Sequence, residues 1–137
     1  MMVFDSSALL AVVRGEKPGG ELVQGLIDDS DVPMFVHSAN LCEVFPQVWR
    51  TDVENGGDGS TFANTTIRNF LRSGLIERSD LDATFWCDAA ELIAGRRLSD
   101  ASLALGDALG VALSRRLDAQ FVGPTAPKSN RFERRAS

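Results

Sequence analysis

The sequence contains few of the residues on which disulfide, thiolate or histidine chemistry depends. It has two cysteines, one histidine and no tyrosine among 137 residues. Cys42 and Cys87 stand apart, without the Cys-x-x-Cys or Cys/His spacing of a zinc site, so we expect buried reduced thiols. His37 follows an apolar segment and has no second histidine to pair with. We therefore interpret it as a structural residue.

Long apolar runs and an excess of positive charge are also missing. No apolar run approaches the length that crosses a bilayer, and the opening carries Asp5 where a signal peptide has basic residues. We expect a cytoplasmic protein with no membrane segment. The net charge of −5 argues against a broad basic surface for nucleic acid, although a metal ion can bridge acidic residues to a nucleic acid. The length and the 44% hydrophobic content fit one domain.

Strand-like and helix-like segments alternate along the chain. Short apolar segments that end in polar residues predict strands at 2–4, 33–37, 75–78 and 119–122. Helical spacing of apolar residues occurs at 6–14, 20–27, 38–48, 61–72, 82–94 and 103–113. The glycine-rich segment 51–61 predicts a loop between two antiparallel helices. The alternation predicts an α/β domain whose mostly parallel sheet is covered by helices on both sides.

Three acidic residues lie where predicted strands give way to helices. Asp5 directly follows the first strand, Glu43 falls in the opening turns of a helix, and Asp107 lies near the start of the last helix. In a parallel sheet the carboxyl ends of the strands form the edge where ligands bind. Each acid alone is also explained as a helix cap or a solvated charge. Gathered in one pocket, the three would repel each other unless a divalent cation, which prefers oxygen ligands, neutralised them.

The segments that carry these acids resemble the PIN domain, particularly the ribonuclease toxins of VapBC type. The matching segments, in order and at the family's spacing, are Val3-Phe4-Asp5-Ser6-Ser7, Asn40-Leu41-x-Glu43 and Leu103-Ala104-Leu105-Gly106-Asp107. The resemblance implies a PIN-like three-layer α/β fold over residues 1–127, with a short, mostly parallel sheet of about four strands flanked by helices. We expect residues 128–137 to form a basic, flexible tail.

The resemblance also implies a site and an activity. Asp5, Glu43 and Asp107 match the acids that bind Mg²⁺ or Mn²⁺ and catalyse cleavage in the family, and Ser7 matches a polar position that supports the first aspartate. The implied function is a metal-dependent endoribonuclease, the toxin of a toxin–antitoxin pair, with RNA as substrate, a cognate antitoxin as partner and a homodimer as assembly. The alternative is a degenerate PIN domain that does not cleave and acts as an RNA-binding or protein-interaction module.

The chain departs from the family after its last predicted strand. The toxins usually have a Thr-x-Asp arrangement there, whose aspartate is a fourth acid at the metal site, whereas this chain has Gly123-Pro124-Thr125. Because a hydroxyl is a poorer ligand for Mg²⁺ than a carboxylate, we expect one metal rather than two. Thr125 or Asp100 is expected to support it through water.

Aromatic residues surround the predicted 51–61 loop. In the resembling family the corresponding helix pair helps to form the groove for the antitoxin, so some of this apolar surface is expected to be covered by a partner or a second copy. Ordinary burial in the core is the open alternative. The aromatic residues concerned are Phe45, Trp49, Phe62 and Phe70. In the helix at 82–94, Phe85 and Trp86 are expected to face the core.

Overall fold

The computed structural model describes residues 1–98 and 103–123, and within them the chain alternates strands and helices as predicted. The strands are β1 (Met2–Phe4), β2 (Met34–His37), β3 (Leu75–Arg78) and β4 (Gln120–Val122). The helices are α1 (Ser6–Val13), α2 (Gly19–Asp29), α3 (Ser38–Glu54), α4 (Ser60–Arg72), α5 (Ala83–Leu98) and α6 (Leu105–Leu117).

The strands form one parallel sheet in the order β3-β2-β1-β4. Strand β1 is central, and its Phe4 lies opposite Val36 of β2 and Val122 of β4. Since all strands run in the same direction, the carboxyl ends of β1, β2 and β4 meet at one edge. The predicted α/β class with a mostly parallel sheet of about four strands is confirmed.

The core consists of two clusters, one on each face of the sheet. Side chains of β1 alternate between them, since Phe4 belongs to the cluster under α1–α4 and Val3 to the cluster under α5 and α6. Both side chains are fully buried. A strand buried on both faces explains why the opening of the chain is a continuous apolar run rather than an alternating one.

Helix α3 is longer than predicted, and the loop that follows it is shorter. The helix continues past Pro46 to Glu54, and α4 begins at Ser60. The Asp52 carboxylate accepts a hydrogen bond from the Gly59 amide at 2.9 Å, which closes the turn over the end of α3. Gly59 adopts φ +79°, in the left-handed region that favours glycine.

The expected burial of the cysteines and of Trp86 is wrong. Cys42 and Cys87 are exposed, and Trp86 is 50% exposed. In α5 the residues that face the sheet are Phe85 and Ala89, one helical turn apart, so Trp86 points away from the core.

His37 has the structural role that was expected. Its Nδ1 accepts a hydrogen bond from the Ala39 amide at 3.0 Å, and its Nε2 donates to the Asp80 carbonyl at 2.9 Å. The ring also stacks on Phe85 with centroids 5.5 Å apart. Within the described part of the chain, no helix is both long and apolar enough to span a membrane.

Candidate active site

Asp5 lies at the carboxyl end of the central strand and also caps the helix that follows. Its backbone amide donates to the Val122 carbonyl at 3.0 Å, which joins the ends of β1 and β4. Its carboxylate accepts a hydrogen bond from the Ala8 amide at 2.7 Å, and the residue is only 7% exposed. The cap interpretation and the site interpretation are therefore compatible, because the first turn of α1 begins at the sheet edge where ligands bind.

Glu43 lies in the second turn of α3 and reaches the same region. The Ser6 side chain, at the start of α1, lies near this carboxylate and lowers its pKa. Its Oε1 atom is buried and has no hydrogen-bond partner among the described residues. The carboxylate packs on Gly106 of α6, where a β-carbon would overlap it.

Asp107 lies in the first turn of α6 and is partly buried. The end of α6 leads almost directly into β4 through Asp118, which adopts a left-handed conformation with φ 51°. A helix that returns the chain to the start of a parallel strand begins at the carboxyl edge of the sheet. The topology thus brings Asp107 to the edge that Asp5 occupies.

The three acids influence each other and are harder to ionise than free carboxyls. Burial raises the pKa of Asp5 to about 7; the Ala8 hydrogen bond opposes this rise, and the charges of Asp107 and Glu43 add to it. Burial also raises the pKa of Glu43, against the lowering effect of the nearby Ser6 side chain, and the charge of Asp107 raises it further. Burial raises the pKa of Asp107. The carboxylates are therefore within electrostatic reach of each other.

A second group of acids shows what a cationic partner does in this fold. Arg78 and Arg116 bind Asp80 at 2.8 and 3.0 Å, and the pKa of Asp80 falls to about 2, chiefly because of the hydrogen bonds from Arg78. None of the described basic side chains pairs with Asp5, Glu43 or Asp107. Within the described ranges, the site acids consequently carry a repulsion that no basic side chain relieves.

One buried amide connects the elements that carry the acids. Asn40 is fully buried, its Oδ1 accepts the Ser6 amide at 3.0 Å, and its Nδ2 donates to the Gly106 carbonyl at 3.3 Å. It lies three residues before Glu43, hence on the same side of α3. In the sequence, Asn40 stands out only as part of the segment Asn40-Leu41-x-Glu43.

The donor set suits a hard cation, although the acids do not form a ready ligand cage. With the side chains as placed, no group of three or more His, Cys, Asp or Glu residues in the described ranges is arranged to hold a metal ion. The orphaned Glu43 Oε1 and the unpaired carboxylates are nevertheless the oxygen ligands that Mg²⁺ and Mn²⁺ prefer.

The supporting residues divide into those the structure places and those it does not describe. Ser7 is exposed, whereas Ser6 is buried and its side chain lies near Glu43. The role of Ser7 stays a prediction. Thr125 and Asp100, and the predicted tail, lie outside the described residues.

No protein-family model and no curated protein matches the chain. Among solved structures, the chain is similar to the crystal structure of Mycobacterium tuberculosis VapC20, a toxin that cleaves the sarcin-ricin loop, with a TM-score of 0.69 and 15% sequence identity. The alignment covers 90% of this chain and 88% of that chain. The predicted PIN-like fold is thereby confirmed.

Proposed function

We propose that the chain is a metal-dependent endoribonuclease, the toxin of a toxin–antitoxin pair. One observation carries the proposal. On a fold similar to that of a toxin that cleaves the sarcin-ricin loop, Asp5, Glu43 and Asp107 lie at one edge of the sheet, repel each other and pair with none of the described basic side chains. Buried and partly buried acids are normally paired, so this arrangement favours a ligand of positive charge.

The proposed ligand is one Mg²⁺ or Mn²⁺ held by the three carboxylates. The unpartnered Oε1 of Glu43 supports this choice, because a buried oxygen without a donor gains most from a cation. Since no three of the described acids are arranged to hold an ion as they lie, binding requires the carboxylate oxygens to move together. When bound, such a cation activates water and stabilises the charge that develops on a phosphodiester.

The roles of the chain's own residues follow from their contacts. Asp5 is held by the Ala8 amide of α1, so it provides a fixed carboxylate at the centre of the edge. Glu43 is positioned by packing of its carboxylate on Gly106, with the Ser6 side chain nearby. Asp107, in the first turn of α6, is partly buried like Glu43 and provides the third carboxylate.

A partner surface is proposed on α1, α3 and α4. Phe70 is buried and Phe45 is partly buried against the core, whereas Trp49 and Phe62 are 40% and 48% exposed. Phe62 lines a groove of about 250 Å³ with the side chains Leu10, Val13 and Val48. We propose that a second copy of the chain covers this groove in a homodimer, and that a cognate antitoxin is the chain's other protein partner.

The test is cleavage of a mixed RNA by the purified chain. We expect cleavage with Mn²⁺ or Mg²⁺, loss with EDTA, recovery on adding metal, and no cleavage by Asp107→Asn at the same concentration. Cleavage that persists in EDTA, or equally in Asp107→Asn, would contradict the proposal. RNA binding without cleavage in the presence of metal would favour the alternative of a degenerate PIN domain.

A further inference from the structure

Asn40 is a polar side chain with no exposure in a region that is otherwise held together by apolar packing. Its amide spans two elements that are distant in sequence, since its partners Ser6 and Gly106 are 34 and 66 residues away. Both partners are backbone groups next to an acid, because Ser6 follows Asp5 and Gly106 precedes Asp107. The Asn40 side chain therefore fixes the backbone beside two acids and belongs to the helix that carries the third.

Two glycines of α6 leave the space that this arrangement requires. A β-carbon on Gly106 would overlap the Glu43 carboxylate, and one on Gly110 would lie 3.5 Å from Asn40 Nδ2 and 2.9 Å from a ring carbon of Phe121. Gly106 and Gly110 are one helical turn apart, as are Asn40 and Glu43 on α3. The two helices meet through these matched pairs, with the amide and the carboxylate lying against the bare backbone of α6.

Ser6 adds a second link in the same direction. Its amide donates to Asn40, while its side chain lies near the Glu43 carboxylate and lowers the pKa of that group. A shift of the Asn40 side chain would thus move the start of α1, and with it the Ser6 side chain that lies beside Glu43. The same shift would free the Gly106 carbonyl at the start of α6.

We propose, building on the proposed function, that Asn40 is the positioning residue that sets the mutual placement of Asp5, Glu43 and Asp107 and thereby the affinity of the site for a divalent cation. Asn40 touches neither metal nor substrate in this account. It acts through the Ser6 amide and the Gly106 carbonyl.

The experiment compares Mn²⁺ affinity by calorimetry in wild type, Asn40→Leu and Asn40→Ser. Leucine keeps the size and charge but removes both hydrogen bonds, and serine provides a smaller variant if leucine prevents folding. We expect Mn²⁺ binding to weaken by about 10–100-fold, as is typical when a residue that orients metal ligands is lost. The control is Leu113→Ala, a fully buried position on α6, which should lose thermal stability but bind Mn²⁺ as wild type does.

A second readout uses the metal-free protein and does not depend on nuclease activity. At pH 8 the metal-free Asp107→Asn variant should melt at a higher temperature than metal-free wild type, because the substitution removes one of three mutually repelling charges. In the Asn40→Ser background, Asp107→Asn should raise the melting temperature by a smaller amount, since the carboxylates are no longer held close. Equal gains in the two backgrounds would mean that the sites are independent.

The outcomes separate this inference from the proposed function. Unchanged Mn²⁺ affinity in both Asn40 variants, or equal gains from Asp107→Asn in both backgrounds, overturns the role of Asn40. Absence of Mn²⁺ binding in wild type overturns the proposed metal-dependent function instead, and the melting experiment then decides the role of Asn40 alone.

Discussion

The carboxylate of Glu43 occupies the space that a β-carbon on Gly106 would fill. The contact joins α3 to the first turn of α6, one residue before Asp107. Glycine is needed here for its small size, because the side chain of any other residue would push the carboxylate away. The packing therefore couples the identity of residue 106 to the position of a candidate ligand.

Gly106→Ala should weaken the candidate metal site while leaving the stability of the fold nearly unchanged. The β-carbon displaces the flexible end of Glu43, so Mn²⁺ affinity and RNA cleavage should fall strongly, while unfolding free energy stays within about 1 kcal/mol of wild type because alanine is the better helix former. Calorimetry with Mn²⁺ and urea denaturation check this. The matched control is Gly25→Ala in α2, where a β-carbon meets nothing within 4 Å. Loss of Mn²⁺ binding in both variants would contradict the account.

The stability of the metal-free protein should fall as pH rises towards neutrality. In the folded state Asp5 keeps its proton up to a pKa of about 7, against an ordinary value of 3.8. Between these values the folded state binds more protons than the unfolded state, so the free energy of unfolding decreases with rising pH, by up to about 1.4 kcal/mol per pH unit for one carboxyl, and levels off above the folded pKa.

Denaturation of the metal-free protein at pH 5, 6, 7 and 8 measures this slope. Asp5→Asn should flatten it and be the more stable protein at pH 8, because asparagine still caps α1 without a buried charge. Asp31→Asn, at an exposed position, is the control and should keep the wild-type slope. A wild-type stability that rises from pH 5 to pH 8 would contradict the burial of an unpaired Asp5.

Thr125→Asp tests the expected position of the missing fourth acid. If residue 125 faces the site, a new carboxylate should tighten Mn²⁺ binding and increase the rate of RNA cleavage. Ser129→Asp adds the same charge further along the chain and should change neither. Identical Mn²⁺ affinity in Thr125→Asp and wild type would show that residue 125 does not face the acids.

The surface at Phe62 should govern assembly. Phe62→Asp puts a charge in the groove between α1, α3 and α4, so it should reduce self-association measured by light scattering over a range of concentrations. Leu22→Asp is the control, since Leu22 is a 62% exposed position on α2. If Phe62→Asp and Leu22→Asp have the same mass as a dimeric wild type, the dimer uses another surface.

The sequence was sufficient to predict the strands and the edge at which the acids lie. A buried parallel strand is a short apolar run that ends in a polar residue, so 2–4 followed by Asp5 could be recognised locally. The end of α3 could not be recognised locally, because it depends on a hydrogen bond that the Gly59 amide donates to the Asp52 carboxylate across a turn. Local composition favoured a loop from residue 51.

The links between the acids were also beyond sequence reasoning. Asn40 resembles a helix cap in sequence, and its two real partners are 34 and 66 residues away. Ser6 and Ser7 are equivalent by composition, and only the direction of α1 makes Ser6 the buried one. The exposure of Cys42 has the same origin, since α3 turns Leu41 and Val44 to the core instead.

The most direct test of the account is a Mn²⁺ titration of the purified, metal-free chain at pH 8, followed by calorimetry and repeated with Glu43→Gln and Asp107→Asn. We expect wild type to bind one Mn²⁺ and each variant to bind it much more weakly while remaining folded. A wild-type chain that binds no Mn²⁺, or variants that bind it as tightly as wild type does, would contradict the claim that these carboxylates form a metal site.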